Sequence, residues 1–258
     1  MRILFIGDVV AKPGRETVKE VLPKLKKEEN IDFVVLNAEN LAHGRGATTE
    51  TIKEMKACGV DFFTGGDHLF WHNGFEDEIE GLPLIRPANY PNGAPGNGYA
   101  IVTHDDQKIL IINLMGRSSF GGLYPFLDDP FRKADEILAM TLSEKPDVTL
   151  IDFHAEATSE KVAFGFYLDG KVTAIVGTHT HIPTADERTL PNGTMYITDI
   201  GMTGIIDSVL GVKKEIIINQ FLTARNQKFE WEEYGQKAFR SVILDTRSKA
   251  IQRLDKNI

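Results

Sequence analysis

Five short apolar runs in this chain are each followed at once by a carboxylate, an amide or a histidine. Arg2–Ile6 leads into Gly7-Asp8, and residues 32–36 lead into Asn37-Ala38-Glu39-Asn40. Residues 60–63 lead into Thr64-Gly65-Gly66-Asp67-His68. Residues 148–153 lead into His154-Ala155-Glu156, and 172–176 into Gly177-Thr178-His179-Thr180-His181. Short apolar runs bounded by turn residues read as buried strands. In open α/β sheets, sites form beyond the carboxyl ends of the strands. The pattern therefore brings Asp8, Glu39, Asn40, Asp67, His68, His154, His179 and His181 to one rim.

The segments between these runs supply the other layer. Helical spacing runs over 16–27, with Pro23 expected to bend it, and over 49–57, stopped by Gly59. Further helices are expected over 129–144, 159–165 and part of 207–222. Residues 101–103 and 108–114 read as an antiparallel pair across a polar turn at 104–106, and 241–245 with 250–254 as a terminal hairpin. Early β-α-β alternation followed by a strand-rich second half predicts α/β layers with mixed sheets. No repeat or composition break interrupts the 258 residues, so 1–258 reads as a single domain.

Composition narrows the setting. A formal charge of -8 argues weakly against nucleic acid and anionic membranes, which attract basic surfaces, although RNA contact stays open. Cys58 is the one cysteine, which excludes an internal disulfide and a Cys-rich zinc site. The apolar start meets Asp8 too soon for a signal peptide, and no run reaches the roughly 18 apolar residues of a membrane span. A cytoplasmic protein without a membrane partner is expected, and so is a homo-oligomer.

Taken singly, these polar residues have ordinary readings. Asp8 suits a turn, Asp67 a helix cap and His154 a satisfied core position. Their joint placement at five strand ends favours a site. His179 and His181, at i and i+2 of an extended segment, would point to the same side. Oxygen and nitrogen donors without thiolate suit manganese, iron or zinc better than magnesium or calcium alone. The set exceeds what one tetrahedral ion takes. Two ions bridged by a carboxylate fit better, typically about 3.5–4 Å apart and activating a bridging water.

The motifs Gly7-Asp8-Val9-Val10-Ala11, Asn37-Ala38-Glu39-Asn40, Gly66-Asp67-His68, 152–161 (DFHAEATSEK) and 177–181 (GTHTH) resemble those of the calcineurin-like metallophosphoesterases. The match is to the bacterial branch that hydrolyses cyclic nucleotides. It covers nearly the whole chain, and Arg86-Pro87-Ala88-Asn89 and residues 198–204 fit it too. The resemblance implies a four-layer α/β/β/α sandwich of two mixed sheets, with a dinuclear metal site at the strand C-terminal rim. It implies two divalent or trivalent ions, iron or manganese first, with zinc or magnesium as alternatives. Glu39 matches the bridging carboxylate. Asp8, Asn40 and His181 match ligands of one ion, and Asp67, His154 and His179 those of the other. His68 matches the residue that contacts phosphate and protonates the leaving oxygen. The implied reaction is hydrolysis of small phosphodiesters, such as 2',3'- or 3',5'-cyclic nucleotides, by a metal-bridging hydroxide.

This sequence departs from the family pattern at three places. Asp67 stands where the pattern has Asn, and its extra charge should lower Lewis acidity and repel phosphate. Ala11 stands where the branch often has Gly, a change expected to be minor. The segment Leu69-Phe70-Trp71-His72-Asn73 carries aromatics that offer either a core edge or stacking faces for a base. His43 and Arg45, just after the second motif, are candidate phosphate contacts. The alternatives are a phosphomonoesterase or nucleotidase, and a weakly active metal-binding regulator of the same fold. A barrel amidohydrolase would place its His-x-His pair early rather than at 179–181, and the Gly7–Gly14 stretch lacks dinucleotide-binding spacing.

Overall fold

The computed structural model describes residues 1–118 and 126–258. In chain order the elements are β1 (Arg2–Ile6), α1 (Ala11–Glu28), β2 (Phe33–Asn37), α2 (Thr49–Ala57), β3 (Phe62–Thr64), α3 (Phe75–Glu78) and β4 (Leu84–Ile85). Then come β5 (Tyr99–His104), β6 (Gln107–Met115), α4 (Pro130–Met140), β7 (Val148–His154), α5 (Thr158–Tyr167) and β8 (Ala174–Thr178). The chain continues through β9 (Arg188–Thr189), β10 (Met195–Ile197), β11 (Gly204–Ile205), α6 (Lys214–Thr223), β12 (Lys237–Asp245) and β13 (Ala250–Asn257).

Two mixed sheets result. One runs β11-β12-β1-β2-β3-β4, with β13 paired to β12, and the other β5-β6-β7-β8-β10-β9. Strands β1 to β4 are mutually parallel, as are β6, β7, β8 and β10. The alternation of strand side chains fixes the layer order. Ile3 and Phe5 of β1 join Ile109, Ile111, Leu150 and Val176 in a core between the sheets. Leu4 and Ile6 point the other way, onto Val18, Leu22 and Leu25 of α1 and Ile52 and Met55 of α2. On the far face of the second sheet, Leu110, Ile112, Ile151 and Phe153 pack on Ala134 and Ile137 of α4 and Phe164 of α5. Three cores between four layers give the expected α/β/β/α sandwich.

The hairpin expected around 104–106 forms β5 and β6. Asp105 and Asp106 both take positive φ (45° and 62°), as the tightest hairpin turns require. The terminal hairpin is longer than expected, because β12 pairs with β13 from Ala238 to Asp245.

Two local expectations are corrected, on Pro23 and on Ala11. Helix α1 begins at Ala11 and continues through Pro23. Pro13 sits in the first turn, where no intrahelical N–H bond is needed, and the buried stripe of Val18, Val21, Leu22 and Leu25 holds the helix past Pro23. The helix expected in part of 207–222 is α6, which starts at Lys214 after Leu210 and Gly211 take positive φ. Ala11 is not a neutral replacement for glycine. Its φ is 55°, a left-handed conformation that costs a residue with a Cβ about 1 kcal/mol. Its methyl group is buried beside Val10 and Met202.

Candidate metal centre

All five motifs end at the same rim of the two sheets. Asp8 follows β1, Glu39 and Asn40 follow β2, and Asp67 and His68 lie in the turn after β3. His154 is the last residue of β7, and His179 and His181 follow β8. The backbone knits these ends together. Ala11 N–H donates to Asn40 C=O (2.9 Å), Ala38 N–H to Thr64 C=O (2.8 Å), and Thr203 N–H to Asp8 C=O (2.8 Å).

The side chains converge in two groups that share one residue. Donor atoms of Glu39, Asp67, His154 and His179 lie within 4.8 Å of one another, and so do those of Asp8, Glu39 and His181. His154 Nε2 stands 3.1 Å from Glu39 Oε2, 3.0 Å from Asp67 Oδ1 and 3.1 Å from His179 Nδ1. Asn40 Nδ2 lies 2.9 Å from Glu39 Oε1 and 3.2 Å from His181 Nε2. Half a turn of its carboxamide would present Oδ1 at the same place. His68 Nδ1 is 3.3 Å from Glu39 Oε1, and its Nε2 is 3.5 Å from Asp67 Oδ2. A quarter of the His68 side chain is exposed, against 1 % for Glu39, so His68 stands at the mouth of the cluster.

The residues fit cations on three observations. Asp8 Oδ1 is buried and accepts no hydrogen bond among the described residues. Gly66 leaves a space that a side chain would fill, since a Cβ there would lie 2.0 Å from Glu39 Oε2 and 2.6 Å from His154 Nε2. The donors are carboxylate oxygens and imidazole nitrogens, which suit transition metals.

The charges show how the protein tolerates this cluster. Burial pushes the Asp8 carboxyl up to about 7. Burial acts the same way on Glu39, but the charge and hydrogen bonds of His154 and His68 outweigh it and hold Glu39 well below the usual carboxylate range. For His154, burial favours the neutral ring, yet Glu39 and Asp67 overcome it and drive the imidazole well above its ordinary value. For His181 burial outweighs the opposing charges of Glu39 and Asp199 and the contact with Leu210 C=O, and the imidazole sits below its ordinary value.

The geometry expected from the sequence needs one correction. His179 and His181 are not neighbours on one face of an extended strand. Strand β8 stops at Thr178, and the two histidines take φ of 102° and 64°. Each therefore enters a different donor group. Asp67 and His68 lie in a turn, and both imidazole nitrogens of His68 face carboxylates. His43 and Arg45 stand outside the cluster and line an adjoining cavity. A cavity of about 730 Å³ opens at the opposite end of the strands beside Met1, Asp32 and Lys171.

Several supporting residues escaped the reading of motifs. His154 Nδ1 meets Thr178 Oγ1 (2.9 Å), which donates to buried Asp152 (2.7 Å). Asp152 also accepts from Thr64 Oγ1 (2.5 Å) and Asn37 Nδ2 (2.9 Å). This chain fixes the His154 ring, as such outer partners do for metal-binding histidines. Glu156 Oε2 lies 3.2 Å from His179 Nε2. Asn37, Asp152 and Glu156 sit inside the recognised motifs, but only the fold shows which ring each one supports.

The family model of the YmdB-like proteins matches residues 4–256. A 2',3'-cyclic-nucleotide 2'-phosphodiesterase of Bacillus subtilis (strain 168) is 48 % identical over 246 residues, 95 % of this chain and 91 % of the relative. Among solved structures, a hypothetical protein from Thermus thermophilus superposes with a TM-score of 0.92 at 39 % identity, covering 100 % of this chain and 99 % of the other. A phosphatase from Mycoplasma pneumoniae gives 0.87 at 34 % identity, covering 100 % and 92 %. The chain belongs to the YmdB-like protein family and has the calcineurin-like metallophosphoesterase fold.

Proposed function

We propose that this protein is a dinuclear metal-dependent phosphodiesterase acting on small phosphodiesters, 2',3'- or 3',5'-cyclic nucleotides among them. The observation that carries the reading is Glu39, common to both donor groups and nearly inaccessible to solvent. The Bacillus subtilis relative, by its name, acts on 2',3'-cyclic nucleotides and supports that substrate class.

Asp8, Glu39, Asn40 and His181 would hold one ion, and Glu39, Asp67, His154 and His179 the other. When bound, two such cations supply Lewis acidity for the phosphoryl oxygens and acidify water. The donor set favours iron or manganese. The residues around the pair do the rest. Thr178 and Asp152 hold the His154 ring by its Nδ1. Glu39 and Asp67 hold His68 from both nitrogens at the partly exposed mouth of the cluster. There His68 hands a proton to the departing oxygen. Self-association and a cytoplasmic setting belong to the same proposal; no helix among the described residues is long and apolar enough to cross a membrane.

The test is turnover of adenosine 2',3'-cyclic monophosphate against p-nitrophenyl phosphate, for wild type and His68→Ala. The reading expects the diester to be preferred and the variant to lose about 100-fold in kcat. Preference for the monoester would instead favour a phosphomonoesterase or nucleotidase. A rate indifferent to His68 would remove its role as proton donor.

A further inference from the structure

Beside the metal cluster, three segments line an open cavity of about 350 Å³, within the size range of small-molecule sites. His43 and Arg45 come from the loop after Asn40, Trp71 and His72 from the turn after His68, and Phe229 and Trp231 from the segment before β12. The enclosure is built rather than incidental. Gly44 takes a φ of 80°, and a Cβ there would lie 2.1 Å from Trp231 Cε2, so the loop backbone lies against the indole. His72 Nε2 meets Ala42 C=O at 3.3 Å and ties the two loops together.

The lining combines aromatic faces with a cation. The Arg45 guanidinium lies 4.8 Å from the Trp71 ring and 5.2 Å from the Phe229 ring. Arg45 has no carboxylate partner among the described residues. Trp71 is 56 % exposed, which leaves part of its indole open to a stacking partner. It is also anchored to the catalytic end: Trp71 N–H donates to His68 C=O (2.9 Å), and the two rings meet edge to face at 5.9 Å.

We propose that this cavity receives the nucleobase of the substrate, with Trp71 as its stacking face and Arg45 as donor to its ring heteroatoms. The proposal rests on the phosphodiesterase reading and names the substrate as a nucleotide rather than any phosphodiester. Bases of every kind have a π-face, so the subsite would tolerate different bases.

The chain has two tryptophans, Trp71 and Trp231, and both line this cavity. Intrinsic fluorescence of the metal-loaded protein therefore reports on it directly. Titration with adenosine 3'-monophosphate should quench that fluorescence saturably, whereas inorganic phosphate and ribose 5-phosphate should not. Arg45→Met should weaken the nucleotide titration about tenfold. In kinetics, Trp71→Ala should lower the ratio of kcat/KM for adenosine 2',3'-cyclic monophosphate over base-free methyl riboside 2',3'-cyclic phosphate about tenfold, and Trp71→Phe should restore most of it. Equal quenching by ribose 5-phosphate, or an unchanged ratio in Trp71→Ala, overturns the proposal. Nucleotide quenching without hydrolysis of any diester supports the subsite and overturns the activity instead, so the two failures are distinguishable.

Discussion

Lys161 Nζ lies 2.6 Å from Asp199 Oδ2, and the two side chains are 1 % and 0 % exposed. The ammonium also donates to Thr178 C=O (2.7 Å), and the carboxylate accepts from Thr180 N–H (3.1 Å). This buried pair therefore grips the chain on both sides of His179. Positive φ at His179 and His181 costs of order 1–3 kcal/mol each. Such a conformation persists only where surrounding contacts enforce it, and the Lys161–Asp199 pair is one of those contacts here, beside His179 N–H to Asp8 Oδ2 (3.2 Å) and Met202 N–H to His181 C=O (3.0 Å).

Lys161→Met should remove that grip and leave a buried carboxylate without its cation. The expected loss is about 3–5 kcal/mol in urea unfolding. Metal affinity should fall about 10–100-fold, because His179 and His181 lose their support. A double variant, Lys161→Met with Asp199→Leu, should recover stability but not metal affinity. Unchanged metal affinity in either variant would show that the pair does not position the histidines.

Gly66→Ala tests the space between the donors. The added methyl group would collide with Glu39 Oε2 and His154 Nε2. Far-UV circular dichroism should stay that of a folded protein, while metal content and diester turnover collapse together. A fully metal-loaded Gly66→Ala protein would mean that the donors do not converge on that space.

Asp67 adds a carboxylate where the family pattern has an amide. Asp67 Oδ1 lies 3.0 Å from His154 Nε2, so the side chain belongs to the donor group in this form too. Burial and the Glu39 charge both raise its carboxyl, but hydrogen bonds from His154 and His179 overcome them and keep it below its ordinary value. The extra negative charge should slow attack on a phosphodiester. Asp67→Asn should raise kcat about fivefold, or shift which metal supports the highest rate. If both rate and metal preference stay unaltered, the charge at position 67 is without consequence.

Much of this arrangement was legible before folding was considered, because strand ends announce themselves. An apolar run that stops at Asp8, Glu39 or His154 states both a buried strand and the residue it delivers. The layer order needed more. Strand β2 (Phe33–Asn37) is buried on both faces, so it shows no alternation to assign Val34 and Val35 to different cores. The strands β4, β9 and β11 are two residues long and carry no periodic signal. Backbone handedness at His179, His181 and Ala11 comes from tertiary contacts and leaves no mark on the sequence. The pairing of Trp231 with the loop at Gly44 spans almost the whole chain, so local reading found Trp71 and Arg45 but not the wall opposite them.

The central claim is a two-ion site on which phosphodiester hydrolysis depends. Elemental analysis of the purified protein, read together with turnover of adenosine 2',3'-cyclic monophosphate before and after chelation, tests it most directly. The account predicts about two equivalents of metal per chain, activity lost on chelation and restored by iron or manganese. Diester hydrolysis undiminished in metal-stripped protein, or full activity with a single ion per chain, would contradict it.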